Sequence, residues 1–519
     1  MLLLRVDNYN QRGEDVSGKD NRIKKNLLSS LVYQIVLISL SFLLPRLYLE
    51  NFGSEVNGVL STIKDIFKYM CLLEAGVGLA TTQALYKRIG ENDYKAASSV
   101  LAATHTYYVK TGFIYFGIVM LIAIVYGYVI PTGINPHVVF VMVLLNAVPS
   151  LFSYFIQAKY RILMEVDGRK YVINNSETVV QLLANAGKVL VLFLTDSLVL
   201  IQLVYCVIAL TQMVYLYVYA KRRYTWLNLK TEPDMAAISQ KNSVFVHQIS
   251  GMVFNNTDIM LISALCGFKA ASIYTIYNTF FAQMQTFITN LASGFTFALG
   301  QMFNIEREKF DRVYSIYEPL YIMITFVIYT LMAVFLLPLI QIYTSGINDA
   351  NYTNLTLVFL FVVMNLISNA KLPANGIIEY SGCFEKTRHQ AVLEMVINIT
   401  VSVVSIIYFG ICGAIFGTVA ALVYRSIAVI HYSNRVVLGR SVWATYKSWV
   451  INGGVFAVIM VIFYVDTFSN MSFLRLLLNG MLHSVWIVAL YVAANLIFDR
   501  KVFTTLLEIY REKKNNECS

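Results

Sequence analysis

VHQISGMVFNNTDIMLISALCGF (Val246–Phe268) is close to the length that crosses a bilayer as one helix, and its ends are apolar. Asn255, Asn256, Thr257 and Asp258 interrupt it. A carboxylate at the centre of a spanning helix costs about 2.5–3.5 kcal/mol on insertion scales, so it is expected to face protein or water rather than lipid. The stretch matters for the fold because the chain contains a second version of it. KNLLSSLVYQIVLISLSFLLPRLYLENFG (Lys25–Gly53) aligns with KNSVFVHQISGMVFNNTDIMLISALCG (Lys241–Gly267), placing Gln34 on Gln248 and Gly53 on Gly267, both 214 positions apart. TGIN (Thr132–Asn135) answers SGIN (Ser345–Asn348). QAKYRILMEVDGRKY (Gln157–Tyr171) aligns with PANGIIEYSGCFEKT (Pro373–Thr387) at an offset of 216, pairing Lys170 with Lys386. Matches that keep one order at nearly one spacing mark an internal duplication.

Composition agrees with a membrane protein. Of 519 residues, 57% are hydrophobic and only 13% charged, with a mean hydropathy of +0.62; soluble proteins carry about a quarter charged residues. Apolar runs recur from Leu27 to Phe498, and fourteen spans are read from them. The opening MLLLRVDNYNQRGEDVSGKD lacks the apolar core of a signal peptide, so targeting is expected from the first span. With the N-terminus placed inside, 31 of the 40 Lys and Arg fall in inside segments. Lys269 is the one clear outside case, and eight more lie within or at the edges of spans. The net charge of +10 therefore reads as a topology signal rather than a nucleic-acid footprint, with both termini cytoplasmic.

The expected fold class is an all-α polytopic membrane protein of about 14 transmembrane helices. Its expected divisions are a tail (1–26), a six-helix N-lobe (27–220), a basic linker (221–242), a six-helix C-lobe (243–436), two further helices (448–498) and a C-terminal tail (499–519). Six spans per half is an even number, so both halves enter from the same side. That is the pattern of a parallel repeat enclosing a cavity.

Placing residues at about 100° each gathers His247, Asn255 and Asp258 on one arc of the seventh span. Lys64, Asp65 and Lys68 share a face of the second span, with Glu74 at its edge. Gln283 and Asn290 lie on the matching face of the eighth, where Asn290 occupies the repeat position of Glu74. Lys64 and Lys68 are one turn apart with only Asp65 near enough to neutralise either, so a hydrated cationic cavity suited to an anionic cargo is expected. Small residues on these arcs also serve close helix packing. Lys188, Lys371 and Arg425 lie mid-span elsewhere, and Arg46, following Pro45, is placed to snorkel to an interface.

Several chemistries are excluded. No P-loop, HExxH or GxSxG is present. No outside loop exceeds about a dozen residues by this reading, which leaves little room for the outward catalytic domain of a polymerase or ligase. The six cysteines form no CxxC pair and are expected as small buried hydrophobes. No cofactor is expected.

NNTDIMLISALCGFKAASIYTIYNTF (Asn255–Phe280) and YFIQAKYRILMEVDGRKYVINN (Tyr154–Asn175), set in a 6+6+2 plan, resemble the Wzx-type polysaccharide flippases. These belong to the multidrug/oligosaccharidyl-lipid/polysaccharide (MOP) exporter superfamily. The resemblance implies two six-helix lobes in a V that open alternately to each side of the bacterial cytoplasmic membrane. It implies an anionic cargo, an undecaprenyl-pyrophosphate-linked oligosaccharide used for surface polysaccharide such as O-antigen, capsule or exopolysaccharide. Carried over by helix, it nominates Arg46, Lys64 and Lys68 for the pyrophosphate. His247, Asn255 and Asp258 are nominated for sugar hydroxyls or coupling, and Asp258 or Glu74 as the carrier of a coupling H+ or Na+. The last two helices would groove the lipid tail, and polymerase or assembly proteins would be partners. The rival reading is a cation-coupled multidrug exporter of the same superfamily.

Overall fold

The computed structural model describes the backbone of residues 16–70, 77–238, 242–463, 472–500, 502–506 and 508, and most side chains from Val32 onward. Every element in it is helical. In chain order these are α1 (Val16–Met70), α2 (Val77–Gly90), α3 (Tyr94–Ile124), α4 (Pro136–Phe155), α5 (Ala158–Val166), α6 (Lys170–Leu194), α7 (Leu198–Arg223) and α8 (Asn242–Cys266). They continue as α9 (Phe268–Ile305), α10 (Arg307–Tyr343), α11 (Leu355–Ala370), α12 (Leu372–Tyr380), α13 (Phe384–Phe409), α14 (Ile411–His431), α15 (Trp443–Ile462) and α16 (Phe473–Phe498). Among the described residues eleven segments are long and apolar enough to cross a membrane. Counting the two sides of a break at Gly53 separately, and adding α8 and α9, brings the number to fourteen. The chain is a multi-pass membrane protein.

The duplication is written into the backbone. Gly53 (φ 78°, ψ −179°) splits α1, and Gly267 (φ 87°, ψ 171°) separates α8 from α9. That region of backbone space is essentially reserved for glycine. Gly133 and Gly346 also have positive φ, as do Gly168 and Gly382. Each pair is 213 or 214 residues apart. The offset of 216 suggested by Lys170 and Lys386 is therefore corrected. α5 and α12 both start and end 214 apart, and Gly168 pairs with Gly382 in the turn that follows each. At this spacing Lys170 aligns with Phe384. A turn that needs left-handed backbone fixes its glycine, whereas an exposed lysine is free to drift along the loop.

Two compact units emerge. The first ends at Leu44 and resumes after the second span to reach Asn242; the second joins Pro45–Leu72 to Ser243–Ser519. The rear part of α1 thus packs with the second unit. Gly58 shows how tightly: a Cβ there would stand 1.8 Å from the Phe268 carbonyl oxygen. Gly413 and Gly417 do the same for α14 against α13, where a Cβ would meet Ser405 and Ser402 at 2.2 and 2.1 Å. Between apolar helices in lipid, such backbone approach supplies the attraction that water exclusion supplies in soluble proteins.

The second unit has an aromatic core. Phe281 and Phe361 stack at 5.3 Å, and each has a further parallel neighbour, Tyr329 and Tyr277 respectively. All four are fully buried. The Tyr329 hydroxyl accepts from Asn369 at 2.9 Å, which answers its one polar group. The last hairpin docks here too. Tyr491 of α16 shares a hydrogen bond with Thr330 of α10 at 2.6 Å, and Asn495 donates to Asn452 of α15 at 2.9 Å. Arg440 and Thr445 both bond the buried Glu318. The cysteine expectation needs correction. Of the four described, Cys206 alone is buried, Cys266 is exposed, and Cys383 and Cys412 are intermediate. In a membrane helix an uncharged thiol meets no penalty for facing lipid, so apolar sequence does not imply a core position.

Candidate functional site

The rear part of α1 carries three of the expected residues. Lys64 and Lys68 are both exposed, and Asp65 between them is buried. Lys68 Nζ pairs with Asp65 at 2.5 Å while its own side chain stays 45% accessible. Lys64 has no ion-pair partner among the described residues. Helical spacing explains the grouping, since residues three and four apart share a face. Two cations against one buried carboxylate leave a net positive charge on this turn of the helix.

Arg46 sits apart from them. Its guanidinium donates to the carbonyls of Tyr343 and, at 2.9 Å, Ser345, and it pairs with Glu50 at 2.6 Å. Tyr343 is the last residue of α10 and Ser345 lies in the turn after it, so the guanidinium sits at the helix C-terminus, where a cation is electrostatically favoured. Arg46 is therefore engaged in holding α10, which replaces the snorkelling expected from its place in the sequence.

Asp258 is turned into the second unit and is 5% exposed. Its Oδ2 accepts from Tyr274 of α9 at 3.0 Å and from Thr418 of α14 at 2.8 Å, and neither lysine pairs with it. Thr418 in turn accepts from Asn398 of α13 at 2.9 Å. Ser402, one turn along from Asn398, donates to the Ala414 carbonyl at 3.1 Å. Two oxygens in this cluster, Asp258 Oδ1 and Asn398 Oδ1, are buried with no hydrogen-bond partner. Buried acceptors without donors are costly, and an all-oxygen set with one carboxylate suits a proton or a hard cation rather than a thiophilic metal. Among the described residues no group of three or more His, Cys, Asp and Glu is gathered.

Asn398, Ser402 and Thr418 escape the sequence reading because it follows the first, second, seventh and eighth spans. The available signal was polar residues one turn apart, Asn398 and Ser402, in the mostly apolar second half of α13. Of the other expected residues, Gln283 is half-buried and Asn290 exposed on α9. Glu74 and the side chains of His247 and Asn255 lie outside the described residues. The remaining deep charges form their own group: Lys371 and Arg425 share Glu394 at 3.1 and 3.4 Å, all three nearly buried.

No family model matches the sequence, and no curated protein matches it. Solved structures do. An inward-facing multidrug resistance MATE family transporter of the MOP superfamily superposes with a TM-score of 0.60 at 14% identity, covering 81% of this chain and 99% of that one. The lipid II flippase MurJ in an inward closed conformation superposes with a TM-score of 0.59 at 14% identity, covering 92% and 99%. An outward-facing MATE transporter reaches 0.54 at 16% identity, covering 82% and 97%. The chain has the MATE and MurJ fold.

Proposed function

We propose that the protein is a flippase that carries a lipid-linked oligosaccharide with a pyrophosphate head across the bacterial cytoplasmic membrane, for surface polysaccharide synthesis. One observation carries the reading: Lys64 and Lys68, both exposed residues, put two cations on one face of a membrane helix with a single carboxylate between them. A drug cation would be repelled there, and a pyrophosphate attracted. The sugar head of such a lipid cannot lose its water in hydrocarbon unaided. A polar passage replaces that water while the tail remains in lipid, and rocking of two repeats around a fixed site then suffices for transport. The flippase structure spans 92% of this chain against 81–85% for the MATE structures in the comparison. The longer match favours a flippase over a MATE-type carrier; in it the exposed apolar side chains of α15 and α16 would border the lipid tail. Coupling to H+ or Na+ is assigned to Asp258 with Asn398, whose unpartnered oxygens would supply a cation's ligands, while Thr418 bonds both residues.

Replacing Lys64 and Lys68 together by Gln is expected to abolish surface polysaccharide while protein level stays normal, with lipid-linked oligosaccharide accumulating in the membrane. Normal export by the double variant overturns the reading. The MATE neighbours make a multidrug exporter the second reading, and it requires that deletion change drug susceptibility but not the polysaccharide.

A further inference from the structure

The two units differ where the duplication should make them alike. In the first, Asn135 of TGIN caps α4 directly, accepting from the His137 amide at 3.0 Å. In the second, Asn348 of SGIN is separated from α11 by six residues, Asp349–Asn354, and the cap falls to Asn354. The insertion walls a cavity of about 570 Å³ formed by residues from Gln341 to Thr353. The first unit has a cavity of about 490 Å³ beside its TGIN turn, but Ile134, Val138, Leu198 and Val199 make that one largely apolar.

The inserted segment is held firmly. Asp349 accepts from the Ser54 amide and hydroxyl, each at 2.7 Å. The Tyr352 hydroxyl bonds Ser54 at 2.6 Å and Ser272 at 2.9 Å, and Ser272 accepts from Asn57 at 2.7 Å. Tyr277 donates to the Tyr352 carbonyl at 2.6 Å. A pocket wall fixed at this many points is ready to bind without an ordering cost.

The lining selects a ligand class. Gln341, Thr344, Ser345, Asn348, Asn351 and Thr353 offer neutral amides and hydroxyls. The one carboxylate, Asp349, has both oxygens taken by Ser54, which disfavours a metal cation. The nearby cations are committed, Arg46 to carbonyls and Glu50, Lys269 to the Asp349 carbonyl at 3.3 Å, which disfavours an anion. Gln341 Oε1 is buried and has no hydrogen-bond donor. We infer that this pocket binds carbohydrate: a neutral, hydroxyl-rich ligand whose hydroxyls satisfy Gln341 and the surrounding amides. Binding itself is independent of the transport reading. Its role rests on that reading, in which the positive-inside assignment puts this loop outside and the pocket receives the sugar head after translocation.

The test uses the full chain in lipid nanodiscs and oligosaccharides released by mild acid from the host strain's own surface polysaccharide. Saturation-transfer NMR should show contact with sugar-ring protons that inorganic pyrophosphate does not displace. Gln341→Leu removes a buried unsatisfied oxygen, so it should fold as well as the parent, judged by size exclusion, while binding about tenfold more weakly, the weight of about one net hydrogen bond. Asn348→Ala, on an exposed loop position, should weaken binding in the same direction. No ring-proton signal, or equal signal from parent and both variants, overturns the pocket. If the lysine double variant loses export while these variants bind as the parent does, the pocket fails and the flippase reading stands. If the pocket binds sugar and the lysine variant exports normally, the flippase reading fails and the pocket stands.

Discussion

Replacing Asp258 by Asn keeps the side chain's shape and removes its charge. Two hydrogen bonds reach the carboxylate, from Tyr274 and Thr418. Hydrogen bonds to a charged group contribute about 1.5–3 kcal/mol each, so together about 3–6 kcal/mol. Against this stands a desolvation penalty of several kcal/mol for a carboxylate that is almost fully buried and has no ion-pair partner among the described residues. The two roughly cancel, and Oδ1 remains without a donor. A sodium ion bound on Oδ1 would tip the balance, adding about 2.7 kcal/mol at a concentration one hundred times its dissociation constant. Asp258→Asn should therefore fold about as well as the parent in choline chloride but lose the extra stability conferred by sodium chloride. Thermal unfolding of the purified protein in both salts reads this directly, and transport should fall with the sodium increment. An increment of equal size in parent and variant refutes the assignment of the cation to Asp258, and no increment in the parent leaves the proton as the coupling ion.

Glu394→Gln should destabilise the second unit by about 3–5 kcal/mol, because it strands Lys371 and Arg425 as neighbouring buried cations. Denaturant unfolding should show the loss, and adding Lys371→Met should recover part of it. Burial opposes ionisation of Asp349, but the Ser54 hydroxyl and amide and the Lys269 ammonium outweigh it and hold the carboxyl below its ordinary range. A depressed folded value means that this contribution is complete above the unfolded pKa of about 3.9 and is lost as pH falls through the folded one. Amide-exchange protection of residues 344–354, corrected for intrinsic rates, should fall along that acid limb in the parent and stay flat in Asp349→Asn.

Hydropathy and repetition in the sequence are enough to determine the helical class, the number of spans and the duplication. Each depends on local chemistry: a run of about twenty apolar residues has to be helical in lipid, and a left-handed turn has to be glycine. Gly53 and Gly267 could be paired from the sequence alone because no other residue is at ease in that backbone conformation. The Lys64–Lys68 face was legible for the same reason, since helical spacing by itself puts both on one side.

Partnership between distant helices was decided only by the tertiary structure. Asp258 reads as a companion of the lysines on helical arcs, yet it bonds Tyr274 and Thr418, the latter 160 residues away. Arg46 reads as an interfacial cation, yet it closes the end of a helix 297 residues further on. Spacing along one helix fixes direction around its own axis, while the neighbour met in that direction depends on how all the other helices pack.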